Sequence, residues 1–206
     1  MKTRFYYFII FTFAACAIIS CQKEINGLSN GGIIVPANQK PKVGTTWTYR
    51  HYTYYSYGSL ATIKMVTHKA KSEEMLGGEK WLKIVDVETD TTVYFLNEKT
   101  AGLYQYANNS SNLLCKDPAA VNDSYTTFNE GAAEMFTVKG VNDTLATGVG
   151  DIPLNYYEGV KTALLIDLIW YNKYAWIVWK FQYIKTGPPG NRYWLYSKMY
   201  LDNIVY

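Results

Sequence analysis

Past residue 42 the chain has no window of roughly eleven residues in which apolar side chains recur every 3.6 positions. Amphipathic helices are therefore excluded as its main building material. A two-residue period recurs instead. Tyr, Trp, Thr, Ile and Val alternate with other side chains in short runs bounded by Gly, Asn, Asp and Pro. In residues 45–57, Trp47, Tyr49, His51, Thr53 and Tyr55 fall on one side of a strand, and Thr46, Thr48, Arg50, Tyr52 and Tyr54 on the other. Ile177, Trp179, Phe181 and Tyr183 alternate with Lys180 and Gln182. Trp194, Tyr196, Lys198 and Tyr200 alternate with Leu195, Met199 and Leu201. Gly77-Gly78 and residues 187–191 carry hairpin chemistry. The spacing predicts an all-β, antiparallel fold of about nine or ten strands, either a sandwich or a strongly curved half-barrel. Residues 108–131, rich in Asn, Ser and Asp, are expected to be irregular, and residues 132–136 to form a helical turn at most. The echo of Val121-Asn122-Asp123 in Val141-Asn142-Asp143 is read as repeated turn chemistry.

The amino terminus divides the chain. Lys2 and Arg4 precede residues 5–19, which carry no charge. That run is too short for the ~30 Å hydrocarbon core, which needs about 20 residues, and it fits the apolar region of an export signal. It ends in Ile18-Ile19-Ser20-Cys21. This resembles the lipobox of bacterial outer-membrane lipoproteins. The resemblance implies cleavage before Cys21 and acylation of its thiol and new amine. Two or more acyl chains give stable anchoring, at about 0.8 kcal/mol per buried CH₂. Gln22 stands where the resemblance would place an Asp for inner-membrane retention, so the expected location is the cell outer membrane. Residues 1–20 are thus a signal, residues 21–42 a Gly/Ser/Pro-rich tether with a reach on the order of 25 Å, and residues 43–206 one domain. That domain opens on Gly44-Thr45-Thr46-Trp47-Thr48-Tyr49, which resembles the G-x-x-W-x-Y opening of mainly-β bacterial lipoproteins and implies no activity.

Composition narrows the chemistry. Loss of Lys2 and Arg4 with the signal leaves a near-neutral chain with no basic cluster, so nucleic acid is not an expected partner. Of 3 Cys, Cys16 leaves with the signal and Cys21 takes lipid; Cys115 is left without a disulfide partner and reads as a buried, inert thiol. There are only 2 His, His51 and His68, and no G-x-S-x-G, so no catalytic residues are assigned. The same scarcity of ligands assigns no metal site and no cofactor. Asp86, Glu88 and Asp90 would share one face of a strand and read as a solvated charged surface.

The aromatics are the positive signal. The sequence holds 20 Tyr and 6 Trp against 8 Phe, rings with a polar tip that suit strands with one wet face. Trp194, Tyr196 and Tyr200 on one strand, Tyr52 and Tyr54 on another, and Trp176 on a third are candidate ligand-binding rings. The expected function is non-enzymatic binding of a glycan or an envelope protein by a module held to the membrane through its lipid. The alternative is a curved sheet that shelters an acyl chain.

Overall fold

The computed structural model describes residues 35, 38–56, 58–129, 131–161, 165–185 and 193–206. The signal, Cys21 and most of the tether lie outside the described residues. The strands run in chain order as β1 (Thr46–Tyr54), β2 (Leu60–Leu76), β3 (Glu79–Asp86), β4 (Thr92–Lys99), β5 (Gly102–Ala107), β6 (Ser110–Lys116), β7 (Ser124–Asn129), β8 (Ala132–Thr147), β9 (Gly150–Lys161), β10 (Leu165–Asn172), β11 (Trp176–Lys185) and β12 (Tyr193–Val205). All twelve join one antiparallel sheet in the order β6-β5-β4-β3-β2-β1-β12-β11-β10-β9-β8-β7. Each strand pairs with its chain neighbours except at β1, which closes against β12, and at the break between β6 and β7.

That break makes the sheet a nearly closed barrel. Its edges are sewn by side chains rather than by a backbone ladder. The Tyr125 hydroxyl on β7 donates to the carbonyl of Leu114 on β6 at 2.9 Å, and Lys116 pairs with Asp123 at 2.7 Å. Tyr157, from β9, reaches across to donate to the Lys116 carbonyl at 2.5 Å. Side-chain closure of this kind caps edges that would otherwise offer free backbone groups.

The all-β class is as expected, but there are twelve strands rather than nine or ten. The difference lies in strands made of turn-like residues. β6 (Ser110–Lys116) and β7 (Ser124–Asn129) sit in the region read as irregular. Their Ser, Thr and Asn content is tolerated because they are the two sheet edges. Residues 132–136 begin the long strand β8, not a helical turn. The two Val-Asn-Asp segments also diverge. Asn122 sits in a turn at φ 72, whereas Asn142, at φ 58, makes an irregularity inside β8 where the register with β9 shifts. Asp86, Glu88 and Asp90 do not share a strand face. The Asp86 carboxylate accepts the backbone N–H groups of Glu88 and Thr89 at 3.0 and 2.9 Å, which folds the chain into the β3–β4 turn.

The inner face changes character along the strands. Near the start of β1 it is apolar: Trp47, Ile84, Leu96, Leu103, Val138, Leu154, Tyr171 and Ile204 are buried there. The G-x-x-W-x-Y opening explains itself at this end. Trp47 stacks on Trp176 at 5.6 Å, and its indole N–H donates to the Ala175 carbonyl at 2.9 Å. The Tyr49 hydroxyl donates to the Ile177 carbonyl, also at 2.9 Å. Two aromatics of β1 thus clamp the entry of β11 across the interior. Toward the other end the inner face turns polar. Lys161 lies 3.2 Å from Asp167 and 3.8 Å from Glu134, and these side chains are 5, 2 and 0% exposed. The Asn129 amide donates to both carboxylates, at 2.7 and 3.2 Å. Burial first, and the Asp167 charge second, push the Glu134 carboxyl up to about 7. The cluster is close-packed: a Cβ at Gly159 would meet Glu134 at 2.2 Å and the Phe136 ring at 2.7 Å, so only glycine fits between them.

Candidate functional site

The register of six adjacent strands builds the site. On the outer face, one cross-strand row reads Tyr156 (β9), Trp170 (β10), Trp179 (β11), Tyr200 (β12), Arg50 (β1) and Met65 (β2). The adjoining row reads Glu158, Leu168, Phe181, Lys198, Tyr52 and Ile63. Strands lie about 4.8 Å apart, so each row crosses roughly 24 Å of surface. Antiparallel pairing places directly opposed side chains in contact, which is why residues scattered from 50 to 200 in the sequence become one patch.

The rings form a continuous chain. Tyr156 stacks on Trp170 at 4.5 Å with an interplanar angle of 8°. Trp170 meets Trp179 at 5.6 Å and Phe181 at 4.9 Å. Tyr200 stands edge-on to Trp179 at 5.4 Å and to Phe181 at 5.2 Å, and Tyr52 stands edge-on to Tyr200 at 5.8 Å. Every one of these rings is half-buried, each shielding the next while keeping an open edge or face. Beyond them Ile63 and Met65 are 55 and 51% exposed. A contiguous apolar surface of this kind makes this face the candidate interaction site.

Charge is set into the rings at two adjacent points. The Lys198 ammonium lies 5.0 Å from the Tyr52 ring centroid, 5.6 Å from Tyr54 and 5.5 Å from Tyr200. Hydrogen bonding to the Tyr54 hydroxyl, and then to Tyr200, holds that ammonium above the ordinary lysine range. Arg50 donates from Nη2 to Asp202 at 2.7 Å, and its interaction with Tyr52 and with Asp202 raises its basicity further. The tip of the β8–β9 hairpin forms a wall beside this pair. Register shifts near Gly140 and Asp143 bend the hairpin, and Gly148 packs so closely on β12 that a Cβ would come within 2.8 Å of Asp202 Cα and the Leu201 carbonyl. Between the wall and the rings lies an open recess of about 470 Å³ lined by Arg50, Tyr52, Thr147, Trp179, Lys198 and Tyr200 among others.

Tyr52 and Tyr200 of the sequence-assigned rings meet here, with Tyr54 joined to them through Lys198. The other three lie elsewhere. Trp176 is 3% exposed and belongs to the core against Trp47, so it is no surface platform. The register with β11 shifts at Tyr196, so Ser197 opposes Gln182 while Leu195 opposes Tyr183. This bulge flips the alternation: Trp194 lies opposite Ile184, on the other face from Tyr200. Tyr196, at the bulge, is 51% exposed and lines a separate recess of about 170 Å³ with Tyr54 and Trp194. Sequence reasoning missed Tyr156, Trp170, Trp179, Phe181, Lys198 and Arg50. The alternation of Trp179 and Phe181 with Lys180 and Gln182 was the available signal.

The remaining titratable groups lie inside. Burial draws the His68 imidazole down to about 4, where it packs 5.3 Å from Tyr49. Cys115 is fully buried, and burial pushes its thiol up, which disfavours the reactive thiolate. The apolar interior space bounded by Trp47, Tyr49, His68, Ile84 and Met199 measures about 20 Å³, room for about one water. A polar recess of about 660 Å³ lies on another part of the surface, where Lys40, Lys99 and Lys173 alternate with Glu98 and Asp117.

Together these features define a nearly closed antiparallel β-barrel with a ring-lined, cation-studded outer face. No protein-family model matches the chain, and no curated protein matches it. Among solved structures, it is similar to a protein of Bacteroides fragilis NCTC 9343 described as exported and of YmcC-like fold. The two share 12% identity over 82% of this chain and 98% of that one, with a TM-score of 0.47.

Proposed function

We propose that the chain is an exported, lipid-anchored protein of the outer membrane that binds a glycan on its outer sheet face and performs no chemistry on it. One observation carries this reading: half-buried rings of five strands, from Tyr156 to Tyr52, line up beside two cations and a hairpin wall. Flat rings supply stacking area for sugar rings at low conformational cost, and the flanking polar groups supply direction. An extended pyranose chain advances by a length close to the strand spacing, so one sugar per strand fits a row. Among the described residues, the apolar interior space beside Trp47 measures about 20 Å³, too little for an acyl chain.

A glycan array probed with the intact mature protein tests this reading. Trp179→Ala and Tyr200→Ala should each weaken the strongest hits by about tenfold or more, as truncation of an interface anchor does. Unchanged binding by both variants, or no hit for the wild type, would contradict it.

The anchor has its own test. The lipobox at Cys21 leads to the expectation that wild-type protein sediments with outer membranes and carries acyl mass on its first residue. Cys21→Ser should shift it to the soluble or uncleaved pool. Wild-type protein recovered without fatty acid would remove the anchored location.

A further inference from the structure

Resting on that reading and deepening it, we infer that the glycan is acidic, and that one of its carboxylates seats between Lys198 and Arg50 while the adjoining sugar ring lies on Tyr200 and Trp179. Lys198 opposes Tyr52 and Arg50 opposes Tyr200, so the two cations are diagonal neighbours on β12 and β1, with backbones roughly 7–8 Å apart. A carboxylate between them can reach both.

Their partners leave that role open. Asp202 takes one Arg50 nitrogen, and Arg50 has five N–H donors in a planar fork. Among the described residues Lys198 is held by three tyrosine rings and makes no ion pair with a carboxylate. The recess therefore carries one excess positive charge, from Arg50, Lys198 and Asp202. A neutral sugar laid over it would strip water from an ammonium without returning a counter-charge, which costs binding energy. A uronate returns that charge and forms charge-assisted hydrogen bonds, which are stronger than neutral ones. The ring contacts pre-orient Lys198, so little side-chain freedom is lost when the carboxylate arrives.

Calorimetric titration of the intact mature protein tests the inference with three probes: an oligogalacturonate, a cello-oligosaccharide of equal length, and phosphatidylglycerol vesicles. The expected result is about tenfold tighter binding of the oligogalacturonate than of the neutral oligomer, one charge-assisted contact's worth, weakening with salt. Lys198→Met should erase that preference, and Lys198→Arg should restore it. Thermal melts of the variants confirm that the fold is kept. Equal affinity for both oligomers, or a preference that survives Lys198→Met, overturns the acidic assignment and leaves the glycan reading standing. Binding of neither oligomer overturns the acidic assignment, and the array result then decides the glycan reading. Vesicle binding without oligomer binding, if Lys198→Met weakens it and so separates it from insertion of the acyl anchor, overturns both and assigns the face to anionic lipid.

Discussion

Replacing Trp47 by alanine should lower the unfolding free energy by about 3–5 kcal/mol, the cost of emptying a large buried site. Trp47 is 2% exposed and does two jobs. Its ring stacks on Trp176, and its N–H satisfies the Ala175 carbonyl where β11 begins. Alanine removes the stack, opens a void inside the barrel and leaves that carbonyl unpaired. The backbone there has little slack, because Trp176 is held at φ 64, a left-handed conformation unfavourable for a bulky residue. Trp47→Phe keeps most of the apolar area and loses the hydrogen bond, so about 1 kcal/mol is expected. Thermal melts should show a drop on the order of 10 °C for alanine and a few degrees for phenylalanine. Equal effects would mean that the hydrogen bond, not the packing, carries the clamp.

Lys161→Met should be as damaging, and in a pH-dependent way. The variant leaves Glu134 and Asp167 buried together with Asn129 as their shared donor and no Lys161 ammonium between them. Removing one partner from a buried ionic cluster costs about 3–5 kcal/mol. The loss should be greatest near pH 8 and smaller near pH 5, where Glu134 can take a proton. The wild type should show the same sign more gently. Its folded Glu134 carboxyl holds a proton to about 7, against 4.5 ordinarily. Between those values the folded state binds more protons than the unfolded one, so this group's stabilising contribution falls as pH rises. It is fully present below about 4.5 and gone above about 7. Glu134→Gln should flatten that part of the profile, and Lys161→Met/Glu134→Gln should recover part of the loss. Chemical denaturation at pH 5 and pH 8 reads all of these. A pH-independent Lys161→Met defect would show that the cluster acts through packing alone.

Particular residues show what the sequence made legible. The long strands, the hairpins and the all-β class follow from local chemistry: two-residue alternation, Gly77-Gly78, and β-branched and aromatic runs. The strands β6 and β7 and the start of β8 mix Ser, Asn, Thr and Ala with a few strand formers such as Leu113, Tyr125 and Phe128, so their place in the sheet is fixed by neighbours more than by their own propensity. Which face points inward was the harder question. A period of two says that the faces of β11 differ, not which one is buried. Here Lys180 and Gln182 point in, Trp179 and Phe181 point out, and Lys180 is 6% exposed. The polar half of the barrel interior reverses the usual expectation. One extra residue at Tyr196 then sends Trp194 away from Tyr200. Tyr52 and Tyr200 were read on separate strands, and the β1–β12 register, which pairs Tyr52 with Lys198 and Arg50 with Tyr200, brings them together. Tyr156, Trp170 and Trp179 joined them only through the register of four further ladders.

On the proposed reading the outer rows, and not the interior or the Lys40–Lys173 recess, receive the ligand. Two-dimensional NMR of the mature protein titrated with an oligogalacturonate locates the contact directly. Shifts are expected at Tyr52, Trp179, Lys198, Tyr200 and the 146–148 hairpin tip, with Leu103, Leu154 and Lys173 unmoved. Shifts confined to Lys40, Lys99 and Lys173, or to the barrel interior, would contradict it.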